Sequence, residues 1–244
     1  MPVIRVLING AKGRMGQEAV QAVSADPELE LVGQTDLGDD LSAELKRTEA
    51  QVAVDFTTAE VAFHNTRLIL ESGVRPVIGT SGLLPEQVSA LQARCSELGL
   101  GGVIAPNFAI GAVLMMKFSA EAARYLPHVE ILEIHHDRKA DAPSGTAVKT
   151  ADLISRARQT TPPPLEEREL YEGARGASVQ GIPVHSVRLP GFVAHQEVIF
   201  GGKSESLTLR HDSLHRESFM PGVCLACKKA PALQELVYGL EHVL

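Results

Sequence analysis

The 244-residue sequence has only three cysteines, no excess of positive charge, no internal repeat and no long low-complexity tract. It also lacks any apolar run near the roughly 20 residues needed to span a bilayer. Each lack narrows the field. An odd, low cysteine count (Cys95, Cys224 and Cys227) suits a reducing compartment. With 23 basic and 30 acidic residues the formal charge is −7, which argues against general affinity for nucleic acid or acidic membrane surfaces. A local basic pocket remains compatible with that balance. The opening Met-Pro-Val-Ile-Arg leads into a strand pattern without a signal-peptide layout, so the expected location is the cytoplasm. What is present is a chain 44% apolar and 22% charged, long enough to bury a core in one large domain or two modest ones.

The first hundred residues alternate between strand and helix patterns. Val3 to Asn9 is a short apolar run, Gly10-Ala-Lys-Gly-Arg-Met-Gly16 follows at once, and Gln17 to Ser24 reads as a helix. Strand, glycine turn and helix is the setting of a dinucleotide fingerprint, although the spacing G-x-x-G-x-x-G differs from the commoner G-x-G-x-x-G. Gly10 permits the tight turn, Gly13 the approach of a pyrophosphate and Gly16 close helix–strand packing. Asp36 follows the strand Glu30 to Thr35, at the distance where an acid binds ribose hydroxyls. The acids of D-L-G-D-D disfavour a 2′-phosphate while Lys12 and Arg14 favour one, so NADH and NADPH both remain open, with a lean towards accepting both. Further strands are expected at Gln51–Asp55, Arg75–Gly79 and Gly102–Ala105, with helices to Glu71 and from Pro85 to Leu98; Thr58 is an expected N-cap. These elements imply a Rossmann-like, doubly wound parallel sheet. Phe56, Gly79, Thr80 and Pro106-Asn107-Phe108 fall at the carboxyl ends of its strands and outline a nicotinamide edge.

From Gly111 the pattern changes. A helix from Ala112 to Tyr125, a strand from Val129 to His136, a helix from Ser144 to Arg158 and a proline-rich loop from Thr160 to Pro164 precede three strand-like stretches. Those lie near Val184–Leu189, His195–Phe200 and Ser204–His211, as in a mixed or antiparallel sheet. The implied layout is a dinucleotide-binding domain over 1–106 and an α+β substrate domain over 107–215. A C-terminal helical segment of about 216–244 packs back on the first domain.

Chemistry is densest from Glu130 to Ala147, E-I-L-E-I-H-H-D-R-K-A-D-A-P-S-G-T-A. Strand alternation puts Glu133, His135 and Asp137 on one face and His136 and Arg138 on the other. One histidine can therefore serve as a proton donor while Lys139 offers a fixed positive charge. Ser144, Gly145 and Thr146 open a helix whose amides and hydroxyls suit a carboxylate, with Asp141 capping or orienting the turn. The inferred substrate is a small anion with at least one carboxylate. Rival readings are weaker. A zinc site lacks a third ligand at suitable spacing, a Ser144–His135 hydrolase lacks the G-x-S-x-G elbow, and Cys224-Leu-Ala-Cys227 reads as helix packing. A purely structural strand and cap would place several polar side chains in a core without partners.

This stretch resembles the signature E-I-x-E-x-H-x-x-x-K-x-D-x-P-S-G-T-A of the 4-hydroxy-tetrahydrodipicolinate (dihydrodipicolinate) reductase family, at every specified position. The G-x-x-G-R-M-G turn, G-T-S-G, P-N-F and R-L-P-G-F-V-A-H segments match in order. The resemblance implies reduction of a small dicarboxylate by NADH and/or NADPH in diaminopimelate and lysine biosynthesis. It implies His135 as general acid and Lys139 as second catalytic residue, with His136, Lys139, Ser144, Gly145 and Thr146 on the substrate carboxylates. Gly10, Lys12, Gly13, Arg14, Met15, Gly16, Asp36, Phe56, Gly79, Thr80, Ser81, Pro106, Asn107 and Phe108 would line the cofactor. It further implies a homotetramer built through the substrate-domain sheets, with open and closed domain arrangements. Two departures bear on cofactor preference: the segment between Asp36 and Val52 is shorter than in some members, and Lys12 replaces a small residue. A non-catalytic dinucleotide sensor, which would not need His135 and Lys139, and a related reductase acting on another imine or aldehyde are the alternatives.

Overall fold

The computed structural model describes residues 3–163 and 168–244, so Pro164 of the expected proline-rich loop lies outside the described residues. In chain order the elements begin with β1 (Ile4–Asn9), α1 (Arg14–Ala25), β2 (Leu29–Thr35), α2 (Leu41–Thr48), β3 (Val52–Asp55) and α3 (Ala59–Glu71). Then come β4 (Arg75–Ile78), α4 (Pro85–Glu97), β5 (Gly102–Ile104), α5 (Ile110–Ala122), β6 (His128–His135) and α6 (Gly145–Ala157). The series closes with β7 (Ala177–Val179), β8 (Ile182–Arg188), β9 (Ala194–Gly202), β10 (Glu205–Ser213), α7 (Met220–Lys229) and β11 (Leu236–Tyr238). The chain divides into two compact units, Met1–Ile110 with Arg216–Leu244, and Gly111–His215.

The first unit is a six-stranded parallel sheet in the order β11-β5-β4-β3-β1-β2. Val6, Leu7, Ile8, Val52, Ala53 and Val54 are fully buried, as expected for parallel strands covered on both faces. The helices supply matching stripes. On α1, Gly16, Ala19 and Val23 are buried at helical spacing. Leu41 and Leu45 of α2 join Ile69, Leu70, Leu91 and Leu236 in one core. Because β2 and β3 flank β1 on opposite sides, a crevice opens at the carboxyl ends of β1 and β3, where such sheets bind ligands.

The second unit is a five-stranded mixed sheet, β10-β9-β6-β8-β7. Only β6 and β8 run parallel; the other neighbours are antiparallel. Val129, Ile131, Val184, Val198 and Phe200 point to one face and pack with Ala147, Ala151 and Ile154 of α6. The opposite face carries Leu132, Ile134 and Val187, all part-exposed, and Ile199, 40% exposed. Among the described residues, no helix is long and apolar enough to cross a membrane.

Local details differ from the sequence reading. The acidic stretch after Asp36 leads into a helix, α2, because Asp40 accepts the Ala43 amide at 3.0 Å. The C-terminal segment is not one helix: α7 stops at Lys229 and Leu236–Tyr238 becomes a sheet strand beside β5. Thr58 stands at the N-cap of α3, yet its side chain makes no capping bond.

Candidate active site

In the first unit the glycine turn is built by exclusion. Gly10 has φ +80°, and a Cβ there would lie 2.7 Å from the Phe56 carbonyl oxygen. A Cβ on Gly16 would lie 2.0 Å from the Gly10 carbonyl oxygen. The turn is therefore pressed against the end of β3, and α1 starts directly beneath it. No side chain caps α1 and its first turn holds no acid. Its N-terminal amides, with the exposed Lys12, Gly13 and Arg14 and half-buried Met15, form a cradle that fits the phosphates of a dinucleotide. The Asp36 carboxylate accepts the Leu37 amide at 2.8 Å and the Lys12 amide at 2.7 Å. Those two bonds hold its carboxyl below the usual range. The end of β2 is thus tied to the glycine turn.

Beneath the crevice lies a carboxylate that the sequence reading passed over. Asp55 is fully buried at the end of β3. It accepts from Asn9 Nδ2 at 2.8 Å, Asn65 Nδ2 at 3.0 Å, Thr57 Oγ1 at 2.7 Å, the Thr57 amide at 3.1 Å and Thr80 Oγ1 at 2.8 Å. Thr35 Oγ1 extends the set by donating to Asn9 Oδ1 at 2.8 Å. The ends of β1, β2, β3 and β4 are therefore joined by one polar network. Phe56 packs edge-on against Phe108 with ring centroids 6.1 Å apart, and a Cβ on Gly79 would strike the Phe56 ring. Thr80 is buried, Ser81 and Pro106 are exposed, and Asn107 Oδ1 accepts the Ala109 amide at 2.8 Å.

In the second unit Glu133 organises the candidate catalytic residues. It is fully buried at the third-last position of β6. Its Oε2 lies 2.5 Å from His135 Nδ1 and accepts Arg188 Nη1 at 2.9 Å. Its Oε1 accepts Arg188 Nη2 at 2.8 Å and the Ser144 amide at 3.2 Å. Burial alone would raise this carboxyl; hydrogen bonds from His135, Arg188 and Ser186 reverse that and lower it to about 2. His135 and Glu133 are two apart on one strand, so the pleat aims both at the same face. Arg188 arrives because β8 pairs in parallel with β6, opposite His135.

The turn after β6 holds the other expected residues. The Lys139 amide donates to the His136 carbonyl at 3.2 Å, and Lys139 Nζ donates to both Asp141 oxygens at 2.7 and 2.8 Å. That ammonium holds the Asp141 carboxyl below its usual range. Arg188 Nη2 also reaches the Asp141 carbonyl at 2.7 Å. Asp141 thus pairs with Lys139, and the cap of α6 is Ser144, whose Oγ accepts the Ala147 amide at 3.2 Å. Gly145 is exposed with open space beside it, Thr146 is half-buried and His136 is half-buried. Sequence reasoning did not assign roles to Glu133, Arg188 or Asp55. The signal for Glu133 was its place on the face of His135; Arg188 lies 55 residues from Glu133, and no local pattern links them.

Cys95, Cys224 and Cys227 are free and buried, and burial pushes the Cys224 thiol up to about 11. No cluster of three His, Cys, Asp or Glu suited to a metal occurs among the described residues.

A phosphate-ready glycine turn beneath a parallel sheet, in a chain that also carries a histidine–carboxylate site, marks the class of nicotinamide-dependent oxidoreductases. Comparison with known proteins narrows this. Models of the dihydrodipicolinate reductase N-terminus and C-terminus match residues 4–108 and 111–244. The 4-hydroxy-tetrahydrodipicolinate reductases of Streptococcus gordonii and Streptococcus sanguinis are 55% and 54% identical, each over 99% of both chains. A dipicolinate-bound dihydrodipicolinate reductase from Paenisporosarcina sp. TG-14 superposes with a TM-score of 0.90 at 45% identity, covering 99% of this chain and 100% of that one. An amine dehydrogenase from Mycobacterium smegmatis shares the fold at a TM-score of 0.68 and 15% identity, covering 99% and 96%. The chain belongs to the dihydrodipicolinate reductase family.

Proposed function

We propose that this chain reduces 4-hydroxy-tetrahydrodipicolinate to tetrahydrodipicolinate, in diaminopimelate and lysine biosynthesis. The observation that carries the reading is the wiring of His135, the Ser144 turn and the Lys139–Asp141 pair to one Glu133–Arg188 cluster. A bound nicotinamide cofactor supplies the hydride. The protein's own residues hold the ring and handle the proton. Lys139, His136 and the Ser144–Gly145–Thr146 turn bind the substrate carboxylates, the amides acting as fixed dipoles. His135 presents Nε2 to the ring and delivers the proton after hydride transfer, and Lys139 assists loss of the ring hydroxyl as water. Arg188 and Glu133 keep these groups from drifting.

For the cofactor, Gly10 to Gly16 with Lys12, Gly13, Arg14 and Met15 hold the phosphates. Asp36 takes the adenosine ribose, and Phe56, Gly79, Thr80, Ser81, Pro106, Asn107 and Phe108 form the nicotinamide edge. Both NADH and NADPH are accepted: the acids Asp36, Asp39 and Asp40 disfavour a 2′-phosphate, while Lys12 and Arg14 favour one. We further propose cytoplasmic location and a homotetramer assembled through the sheet face that exposes Ile199; sedimentation velocity that returned only a monomer would remove the second point.

The test couples purified protein to a synthase that supplies fresh substrate and follows NADH and NADPH oxidation separately. Substrate-dependent oxidation, inhibited by pyridine-2,6-dicarboxylate, is expected with both cofactors. His135→Gln is expected to lower kcat about 100-fold or more with KM little changed. Lys139→Ala is expected to damage both constants. Oxidation of neither cofactor, in protein that binds dinucleotide, overturns the reading in favour of a sensor or a reductase of another imine.

A further inference from the structure

We propose that Glu133 and Arg188 form a positioning pair that sets the tautomer and aim of His135 and locks it to the anion-binding turn. The inference rests on the reading of His135 as proton donor. Three observations carry it. First, Glu133 places one oxygen on His135 Nδ1 and the other on the Ser144 amide, so a single carboxylate spans the imidazole and the start of α6. Second, Arg188 grips both oxygens from a neighbouring strand, which removes rotation about the end of the Glu133 side chain. Third, the same guanidinium takes the Asp141 carbonyl, beside the carboxylate that Lys139 engages. The two candidate catalytic side chains are therefore referenced to one pair, a buried carboxylate and a part-buried guanidinium.

The chemistry follows from donor and acceptor counting. Glu133 stays ionised at neutral pH, and an ionised carboxylate accepts but cannot donate. The hydrogen between it and His135 therefore belongs to Nδ1. That leaves Nε2 as the nitrogen that gains a solvent proton and passes it to the ring. Swinging the ring or reversing its tautomer would aim a C–H or the wrong nitrogen at the substrate. Neither Glu133 nor Arg188 needs to touch substrate for this role. Loss of a partner that orients a functional histidine typically costs about 10- to 100-fold in activity.

The test combines spectroscopy with kinetics. In the wild-type protein, nitrogen-15 NMR of His135 should show the neutral ring protonated on Nδ1; a neutral ring protonated on Nε2 overturns the proposal outright. In Glu133→Gln the amide NH2 can face Nδ1, so the pattern should reverse. Because that variant strands the Arg188 charge, Glu133→Gln/Arg188→Met is measured beside it. The expected result for the double variant is unchanged NADH binding, a kcat lower by about 100-fold and a KM within about threefold of wild type. A double variant with near wild-type kcat, or with an unaltered His135 nitrogen pattern, overturns the proposal. His135→Gln separates the two ideas. If that variant keeps full turnover, the proton-donor reading falls, while the nitrogen pattern still reports whether Glu133 sets the ring.

Discussion

Among the described residues each unit buries one carboxylate completely at a strand's carboxyl end, and the two are satisfied in opposite ways. Asp55 receives five hydrogen bonds, all from neutral amides and hydroxyls. Glu133 receives an arginine fork, an imidazole and a backbone amide. A ring of neutral donors makes Asp55 a knot that fixes backbone positions under the crevice. Its partners Asn9, Thr57 and Thr80 adjoin Gly10, Phe56 and Gly79, so the network sets the floor of the dinucleotide cradle. Glu133 sits instead in a charge-balanced cluster with a titratable neighbour. Removing charge there strands a cation, whereas removing charge at Asp55 only reshuffles neutral hydrogen bonds.

The largest effect that tests this contrast is the loss of Glu133. Glu133→Ala leaves the Arg188 guanidinium without its carboxylate and should cost about 3–5 kcal/mol, read from urea denaturation of the full chain. Glu133→Met/Arg188→Met should recover most of that loss. A double variant no more stable than the single one would mean that shape, not charge, holds the cluster.

Next comes acid. The Glu133 carboxyl lies at about 2 in the folded chain against 4.5 unperturbed, so its folded pKa is depressed. Its contribution, on the order of 3 kcal/mol, is fully present above about pH 4.5 and is lost as pH falls towards 2. Denaturation midpoints measured across that window should fall steeply in the wild type and more gently in Glu133→Gln/Arg188→Met. Equal slopes would remove Glu133 from the acid response.

The smallest effect is expected at Asp55. Asp55→Asn should cost about 1–2 kcal/mol, because the threonine hydroxyls can turn to accept while the Thr57 amide loses its acceptor. Fluorescence titration should show NADH affinity several-fold weaker, while kcat at saturating cofactor changes little. A fall in kcat with affinity intact would mean that Asp55 acts on chemistry and is no mere floor.

Much of this was legible in the residues. The run Val3–Asn9 before a glycine turn gave the first parallel strand, and strand alternation put Glu133 and His135 on one face of β6, which ends at His135. What escaped has physical reasons. The three-residue strands β7 and β11 are too short to show a period, and β11 forms through pairing with β5 rather than through its own pattern. The helix α2 follows acids that the sequence reading weighs only for their charge towards a 2′-phosphate; its signal was Asp40 three residues before Ala43. Asp141 looked like a cap because it precedes the turn, but the nearer Lys139 ammonium captures it. The Glu133–Arg188 pair depends on strand order, which no short window of sequence contains.

The return of the chain has a consequence for its synthesis. Five strands of the first sheet leave the ribosome before residue 105, yet the strand that covers the edge of β5 spans Leu236–Tyr238. The whole second unit is translated in between. Until Leu236–Tyr238 emerges, Gly102–Ile104 offers an apolar, unpaired edge to any neighbouring chain. A polypeptide stalled or clipped after α7 would therefore contain the glycine turn and the His135 segment and still be a candidate for edge-to-edge aggregation.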